Sequence, residues 1–204
     1  MVNNIKIYLP NILSGLRLAS SPFLIYSILH SYSYASILII IFAALSDGLD
    51  GYLARKFKTE SSVGKIIDPI ADKVFIISAL IGFVLKEHHT HLYMLLALTL
   101  IREVLIISGY FRLKTVKSNF EISPIFSSKF NTSVLFVFFL AHIFLFYVQQ
   151  LEFQNTIYFF WHPFTKGYNV CMALYQFMWL VCIIFNVWSG KSYVQFYQSV
   201  RQAS

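Results

Sequence analysis

The segment from Ser46 to Lys73 reads SDGLDGYLARKFKTESSVGKIIDPIADK and places a set of aspartates in an otherwise strongly apolar chain. The set consists of Asp47, Asp50, Asp68 and Asp72. Residues three or four apart lie on the same side of an α-helix, so the first two aspartates share one helix face. The last two share a face of the following predicted helix. We expect the two helices to face each other and to bring the four carboxylates to one point.

Four clustered carboxylates need a partner, because ionised groups repel strongly at the low effective dielectric of an apolar protein. Such a cluster must hold either protons or cations, and cations are the better explanation. All-oxygen ligation suits Mg²⁺, Mn²⁺ or Ca²⁺ rather than a soft metal. Four such ligands are enough to hold two ions, and a pair of divalent ions binds phosphate groups. The sequence therefore predicts a two-cation, phosphate-binding site.

Small residues and one cation accompany the aspartates on the predicted helix faces. They are Gly51, Ala54, Gly64 and Arg55. Bulky side chains at the three small positions would keep a nucleotide diphosphate away from the cations. Arg55 would supply a phosphate contact from the same side.

The spacing D-x2-D-G-x2-A-R-x8-G-x3-D-x3-D runs without a gap from Asp47 to Asp72. It resembles the signature of the CDP-alcohol phosphatidyltransferases. The resemblance implies CDP-diacylglycerol as donor, an alcohol acceptor, release of CMP, two cations (Mg²⁺ or Mn²⁺) and a homodimer. It also implies that Asp47, Asp50 and Asp68 are metal ligands, and that Asp72 is both a ligand and the base that deprotonates the acceptor. The CDP-lipid would contact Gly51, Ala54, Arg55 and Gly64.

The composition indicates an integral membrane protein. Hydrophobic residues make up 57% of the 204 residues, charged residues make up 12%, and the mean hydropathy is +0.65. The formal charge of +7 does not indicate nucleic acid, because the basic residues are dispersed between apolar runs rather than clustered. Membrane lipid is the expected partner. We expect an all-α polytopic membrane protein with a single domain over residues 1–204.

The apolar runs predict six transmembrane helices. They cover about residues 10–30, 34–57, 63–85, 92–113, 131–147 and 169–188. Most lysines and arginines flank one side of this arrangement, so the positive-inside rule places both termini and the aspartate cluster at the cytoplasmic face. The expected location is the bacterial inner membrane.

Two polar features inside or between these runs have simple explanations. Arg17 lies within the first run with Ser14 and Ser20 three positions to either side. We expect it to snorkel to the interface, with a phosphate-facing role as the alternative. Three histidines crowd the break that ends at His91, and a solvated turn is favoured there over a metal site.

A second group of candidate residues lies in the C-terminal half. Arg102 and Glu103 fall near the middle of the fourth run, where a buried charge pair suggests either a structural pair or a functional site. The resemblance favours Arg102 as a ligand of the acceptor's phosphate. Lys129, at the N-terminus of the fifth predicted helix, is a second phosphate ligand or else a membrane anchor.

The acceptor is suggested by the segment SKFNT, residues 128–132, which follows Pro124. This segment and the C-terminal end resemble the cardiolipin synthases of the family, whose acceptor is phosphatidylglycerol. The phosphatidylglycerophosphate synthases, which use glycerol 3-phosphate, tend to carry Gly-Lys-x-Lys-Thr instead. The triplet Ile101-Arg102-Glu103 favours this second group. We therefore expect phosphatidylglycerol, with glycerol 3-phosphate as the alternative.

A cation transporter lined by the same carboxylates is a competing hypothesis from a different functional class. It would explain the aspartates but not the accompanying small residues, and Arg55 beside the site would oppose cation passage. Metal-dependent release of CMP from CDP-diacylglycerol would separate the two, because a transporter would release none.

Overall fold

A computed structural model of the chain describes the backbone of residues 2–57, 64–116, 126–153 and 165–202. Side chains are described for residues 12–46, 70–113, 126–146 and 172–200. Over these residues the protein is all-helical, as predicted, with six helices. They are α1 (Val2–Leu29), α2 (Ser33–Phe57), α3 (Gly64–Glu87), α4 (Thr90–Val116), α5 (Phe126–Phe153) and α6 (Thr165–Gln202).

The helix bounds follow the apolar runs closely in places and overrun them in others. Helix α2 ends at Phe57, as predicted, whereas α1 already begins at Val2 and α6 continues to Gln202. Hydropathy identifies the part of a helix that suits lipid. A helix can continue beyond that part, because polar residues with adequate helix propensity also form the backbone hydrogen bonds. In α6 the extension also packs inward, since Ser189 and Tyr193 are buried.

Helices α1 to α3 form one compact unit, Met1–His89. Both α2 and α3 pack chiefly against α1 over the described residues. Ser27 Oγ on α1 lies 2.8 Å from Ser36 Oγ on α2. Lys86 Nζ on α3 donates to the carbonyl of Leu29, at 2.9 Å, where the end of α1 leaves carbonyls without intrahelical partners. These contacts make α1 the central helix of the unit.

Helices α4 to α6 form the second compact unit, Thr90–Ser204. Here α6 is central and packs against both α4 and α5. Tyr197 Oη donates to the backbone carbonyl of Ile106 at 2.8 Å, and its ring lies against Gly109. The apolar core of this unit contains Leu92, Leu95, Leu135, Phe138, Phe139 and Cys182. The single domain expected over residues 1–204 stays a prediction.

Four segments of the described helices are long and apolar enough to cross a membrane. They are Ile12–Leu29, Thr90–Leu113, Phe126–Phe146 and Met172–Val200, and Ser33–Ser46 is a shorter apolar helix. Large apolar side chains on these helices remain strongly exposed, among them Leu38, Val104 and Ile184. Lipid is the natural cover for such side chains. The count of six spans stays a prediction.

Candidate active site

Arg17 is the most deeply buried charged residue among the described side chains of the first unit. Its side chain is 1% exposed on α1. Its Nε and Nη2 donate to Ser46 Oγ at 3.1 and 3.0 Å, and its Nη1 donates to Asp72 Oδ1. Ser46 is the residue before the first motif aspartate, and Asp72 is the last motif aspartate. One guanidinium on α1 thus ties the α2 and α3 parts of the motif together.

The expectation that Arg17 snorkels to the interface is therefore wrong. Snorkelling lowers the desolvation cost of a charge by returning it to water. Here a carboxylate and a hydroxyl inside the protein do the same, and the charge of Asp72 is compensated as well. Asp72 itself is 29% exposed, so its carboxylate reaches the surface of the unit while Arg17 lies behind it.

The remaining motif residues are described only by their backbone. They lie in α2 (Asp47, Asp50, Gly51, Ala54 and Arg55) and in α3 (Gly64 and Asp68). Their side chains fall outside the described residues, so the predicted convergence of four carboxylates stays a prediction. Within the part of the chain that has described side chains, no group of three metal-ligating residues is found.

A second buried polar cluster joins the three helices of the second unit around Arg102. This residue is 4% exposed on α4. Its Nη1 donates to Glu103 Oε1 at 2.7 Å, its Nη2 to Ser128 Oγ on α5 at 2.6 Å, and its Nε to Ser189 Oγ on α6 at 3.0 Å. Arg102 and Glu103 thus form an internal ion pair, and the role of Arg102 as a ligand of the acceptor's phosphate stays a prediction. The same contacts fix the guanidinium in a defined orientation.

Lys129 follows Ser128 on α5 but is exposed. Among the described residues its ammonium makes neither a hydrogen bond nor an ion pair with the cluster. The structure thus brings Arg102 and Ser128 together, whereas Lys129 lies on the surface beside the Arg102 cluster. The next turn of α5 carries Asn131, which is fully buried although its amide has no hydrogen-bond partner among the described residues.

The histidine-rich break separates into two kinds of residue. His88 and His89 are exposed, as expected for a solvated turn. His91 instead belongs to α4, and its Nε2 lies 2.9 Å from Tyr175 Oη, which also lies 2.8 Å from His142 Nδ1. This His-Tyr-His chain, which is buried at Tyr175 and His142, links α4, α6 and α5, so the solvated interpretation fails for His91.

Sequence reasoning missed Ser46 and Ser189 as members of these clusters, and it missed the buried Asn131 on the same helix as Ser128. Each is a small polar residue inside an apolar helix, where serine and asparagine also serve in helix packing. Their positions in the sequence were the available indication of a role, because Ser46 precedes the aspartate motif and Asn131 lies within the segment SKFNT. Burial and partners, which distinguish a cluster member from a packing residue, are tertiary properties.

Comparison with known proteins supplies the family. The sequence profile described as CDP-alcohol phosphatidyltransferase matches residues 7–188. The chain belongs to the CDP-alcohol phosphatidyltransferase family. It is therefore a membrane enzyme of phospholipid synthesis, and its apolar helices are those of an integral membrane protein.

Named relatives include glycerol-3-phosphate phosphatidyltransferases and cardiolipin synthases. The chain is 38% identical over 124 residues to the CDP-diacylglycerol–glycerol-3-phosphate 3-phosphatidyltransferase of Aquifex aeolicus, covering 60% of this chain and 68% of the relative. It is 40% identical over 86 residues to the cardiolipin synthase (CMP-forming) of Streptomyces coelicolor, covering 39% of this chain and 40% of the relative.

A third relative is the cardiolipin synthase (CMP-forming) / mitochondrial hydrolase fusion protein of Schizosaccharomyces pombe. Identity is 32% over 141 residues, which covers 62% of this chain and 23% of the relative. The chain thus matches less than two thirds of the length of both relatives named as cardiolipin synthases.

Proposed function

We propose that this protein transfers a phosphatidyl group from CDP-diacylglycerol to an alcohol acceptor and releases CMP, with two divalent cations at the aspartate motif. The observation that carries the proposal is the buried contact of Arg17 with Ser46 and Asp72, all within the residues that match the family profile. A fully buried guanidinium is expensive in a membrane protein. Its use to hold the last aspartate of the motif supports a functional role for that carboxylate.

The donor set suits Mg²⁺ or Mn²⁺, because hard cations prefer carboxylate oxygens. We assign the ligands to Asp47, Asp50, Asp68 and Asp72. Bound cations would neutralise the diphosphate of the donor and the charge that develops on the departing CMP. A carboxylate offers about four lone-pair sites, so the hydrogen bond from Arg17 leaves Asp72 able to act as a ligand.

The chain's own residues divide the remaining tasks. Asp72 takes the proton of the acceptor hydroxyl, and Arg17 positions its carboxylate for this step. Gly51, Ala54 and Gly64 leave room for the CDP moiety, and Arg55 contacts a phosphate of the donor.

The acceptor's phosphate is assigned to Arg102, which Ser128 and Ser189 hold in place, with Lys129 as a second contact at the margin. We favour phosphatidylglycerol as the acceptor. Glu103 offsets the charge of Arg102, which suits a phosphodiester with one negative charge better than a phosphomonoester with about −1.5 to −2. The segment SKFNT supports the same choice.

Glycerol 3-phosphate is the second candidate acceptor. The relative from Aquifex aeolicus is named for transfer to glycerol 3-phosphate. The match covers a larger share of that relative than of the two cardiolipin synthases described above. The exposed Lys129 could supply the additional positive charge that a phosphomonoester requires.

The expected setting is a homodimer in the bacterial inner membrane, with the aspartate motif facing the cytoplasm. Membrane lipid and the two substrates are its partners, and nucleic acid is not. The dispersed lysines and arginines flanking one face of the predicted spans support this orientation.

A transfer assay on purified protein in detergent–lipid micelles tests the proposal. Labelled CDP-diacylglycerol and Mg²⁺ are offered with phosphatidylglycerol in one reaction and glycerol 3-phosphate in another, and the lipid product is identified. Cardiolipin from the first reaction is the expected result. Phosphatidylglycerophosphate from the second alone would retain the reaction class and replace the acceptor, and absence of CMP from both would overturn the proposal.

A further inference from the structure

Asn131 is buried in a state that a purely structural asparagine rarely adopts. Its exposure is 0%, and neither Nδ2 nor Oδ1 has a hydrogen-bond partner among the described residues. Ser127, one turn earlier on α5, is 3% exposed, and its hydroxyl also has no such partner. Buried polar groups are almost always hydrogen-bonded, since leaving them unpaired forfeits their hydration. These two groups therefore indicate a missing partner.

The two unpaired groups lie beside a polar cluster that is already fixed. Ser127 is four residues and Ser128 three residues before Asn131 on α5, so both serines neighbour Asn131 on the helix surface. Ser128 Oγ accepts from Arg102 Nη2 at 2.6 Å, and Arg102 also donates to Ser189. A molecule that satisfied Asn131 would thus be bound next to an oriented guanidinium.

The same unit contains a buried asparagine whose hydrogen bonds are made within the protein. Asn186 on α6 is 2% exposed, its Nδ2 donates to the carbonyl of Cys182 at 3.1 Å, and its Oδ1 lies 3.5 Å from Thr99 Oγ1. The fold can therefore satisfy an asparagine where the residue serves packing. The contrast shows that Asn131, unlike Asn186, has no partner among the described residues, and a bound molecule would supply one.

The chemistry of the unpaired groups suits a polar ligand that both donates and accepts hydrogen bonds. A carboxamide offers two donors and one accepting oxygen, and a serine hydroxyl both donates and accepts. Neighbouring alcohol groups have the same dual character and would satisfy both side chains at once.

We propose that Asn131, with Ser127, binds the glycerol hydroxyls of the acceptor and thereby contributes to acceptor specificity. This inference rests on the proposed function, because it places the acceptor's phosphate at Arg102. The hydroxyls would come from the headgroup of phosphatidylglycerol or from glycerol 3-phosphate.

Replacement of Asn131 by leucine, of similar shape but apolar, separates binding from structure. The variant Asn131→Leu removes unsatisfied polar atoms, so its melting temperature should rise by about 2–4 °C. Its KM for the acceptor should nevertheless rise about tenfold, while its KM for CDP-diacylglycerol stays within about twofold. The matched variant Asn186→Leu breaks internal hydrogen bonds and should lower the melting temperature.

Acceptor binding is also measured without turnover. Short-chain phosphatidylglycerol and glycerol 3-phosphate are added separately to the wild type, and the acceptor that binds should raise its melting temperature. The same acceptor should raise the melting temperature of Asn131→Leu much less. A more stable variant with unchanged acceptor KM and an unchanged acceptor-induced shift would mean that only water occupies the site, and would overturn the proposal.

A milder variant covers the case in which Asn131→Leu does not fold. Ser127→Ala should raise the acceptor KM about threefold, whereas Ser133→Ala, an exposed serine on α5 bonded to its own helix, should not. Equal acceptor KM values in both serine variants would count against the site. If the wild type binds an acceptor through Asn131 but releases no CMP, the proposed function fails while the hydroxyl site stands.

Discussion

At the scale of single residues, the pairing of Arg17 with Asp72 makes the strongest claim. We expect Arg17→Gln to lower kcat/KM for transfer by about 100-fold, because a displaced catalytic carboxylate loses its productive geometry. Arg17→Lys keeps the charge but cannot bond Ser46 and Asp72 in the same fork, so it should recover only part of the rate. Steady-state kinetics at several Mg²⁺ concentrations would measure both effects.

The same substitution also affects stability. Arg17→Gln removes the buried cation that pairs with the partly exposed Asp72. We expect the free energy of unfolding to fall by about 3 kcal/mol, near the lower end of the range for a broken buried pair, because Asp72 is 29% exposed. Lys191→Gln, at an exposed lysine on α6, is the control and should be neutral. Transfer by Arg17→Gln within a few-fold of the wild type would remove Arg17 from the site.

The two proposed phosphate ligands of the acceptor differ in what their loss should do. Lys129 is exposed, so Lys129→Ala should raise the acceptor KM without changing the melting temperature. Arg102→Gln should raise the acceptor KM and also destabilise the second unit, because Glu103 loses a buried partner. Thermal unfolding combined with acceptor titrations distinguishes these outcomes. An unchanged acceptor dependence in Lys129→Ala would assign that lysine to the membrane surface alone.

At the scale of helices, the contact of α4 with α6 depends on Gly109. A Cβ at this position would overlap the ring of Tyr197, whose hydroxyl is held by the carbonyl of Ile106. We expect Gly109→Ala to destabilise the protein by about 1–3 kcal/mol, as overpacking does elsewhere. In contrast, Gly190→Ala on α6 meets nothing within 4 Å and should be neutral or stabilising by about 0.5–1 kcal/mol.

A double variant tests this assignment. Adding Tyr197→Ala should make the Gly109→Ala substitution nearly harmless, since the clash disappears with the ring. Equal losses from Gly109→Ala in the presence and absence of Tyr197 would show that the glycine serves another purpose.

Helices were the easiest part of the fold to predict, because apolar runs long enough to span a membrane leave few alternatives. The end of α2 at Phe57 followed from the change to polar sequence. The start of α1 and the end of α6 could not be predicted in this way. Polar residues continue both helices there, and hydropathy does not distinguish a polar helical turn from a loop. The central positions of α1 and α6 were also unpredicted, because packing partners depend on side-chain fit across the sequence.

The candidate site also has a part that the sequence predicts and a part that it does not. Spacing alone indicated the aspartate motif, since carboxylates are rare and costly in an apolar chain. The role of Arg17 was misjudged because its partner Asp72 lies 55 residues away. Local serines then made the interface the simpler explanation. The condition of Asn131 could not be inferred at all, because an unsatisfied hydrogen bond is visible only in three dimensions.

At the scale of the whole molecule, the orientation in the membrane is open to direct test. Single cysteines at Ser61 and His89, in a background without native cysteines, should react from opposite sides of sealed membrane vesicles. The cysteine at position 61 should react from the cytoplasmic side. Labelling of both from the same side would contradict the predicted arrangement of α3.

The central claim is that the aspartate motif transfers the phosphatidyl group with the help of divalent cations. The most direct measurement is acceptor-dependent CMP release from CDP-diacylglycerol by wild type and Asp68→Asn, with Mg²⁺ and with a chelator, and with Glu87→Gln as a carboxylate control on the same helix. We predict release by the wild type and the control only with Mg²⁺, and a loss of at least about 100-fold in Asp68→Asn, which should still be folded. Release that persists in the chelator, or in Asp68→Asn at a rate within a few-fold of the wild type, would contradict the account.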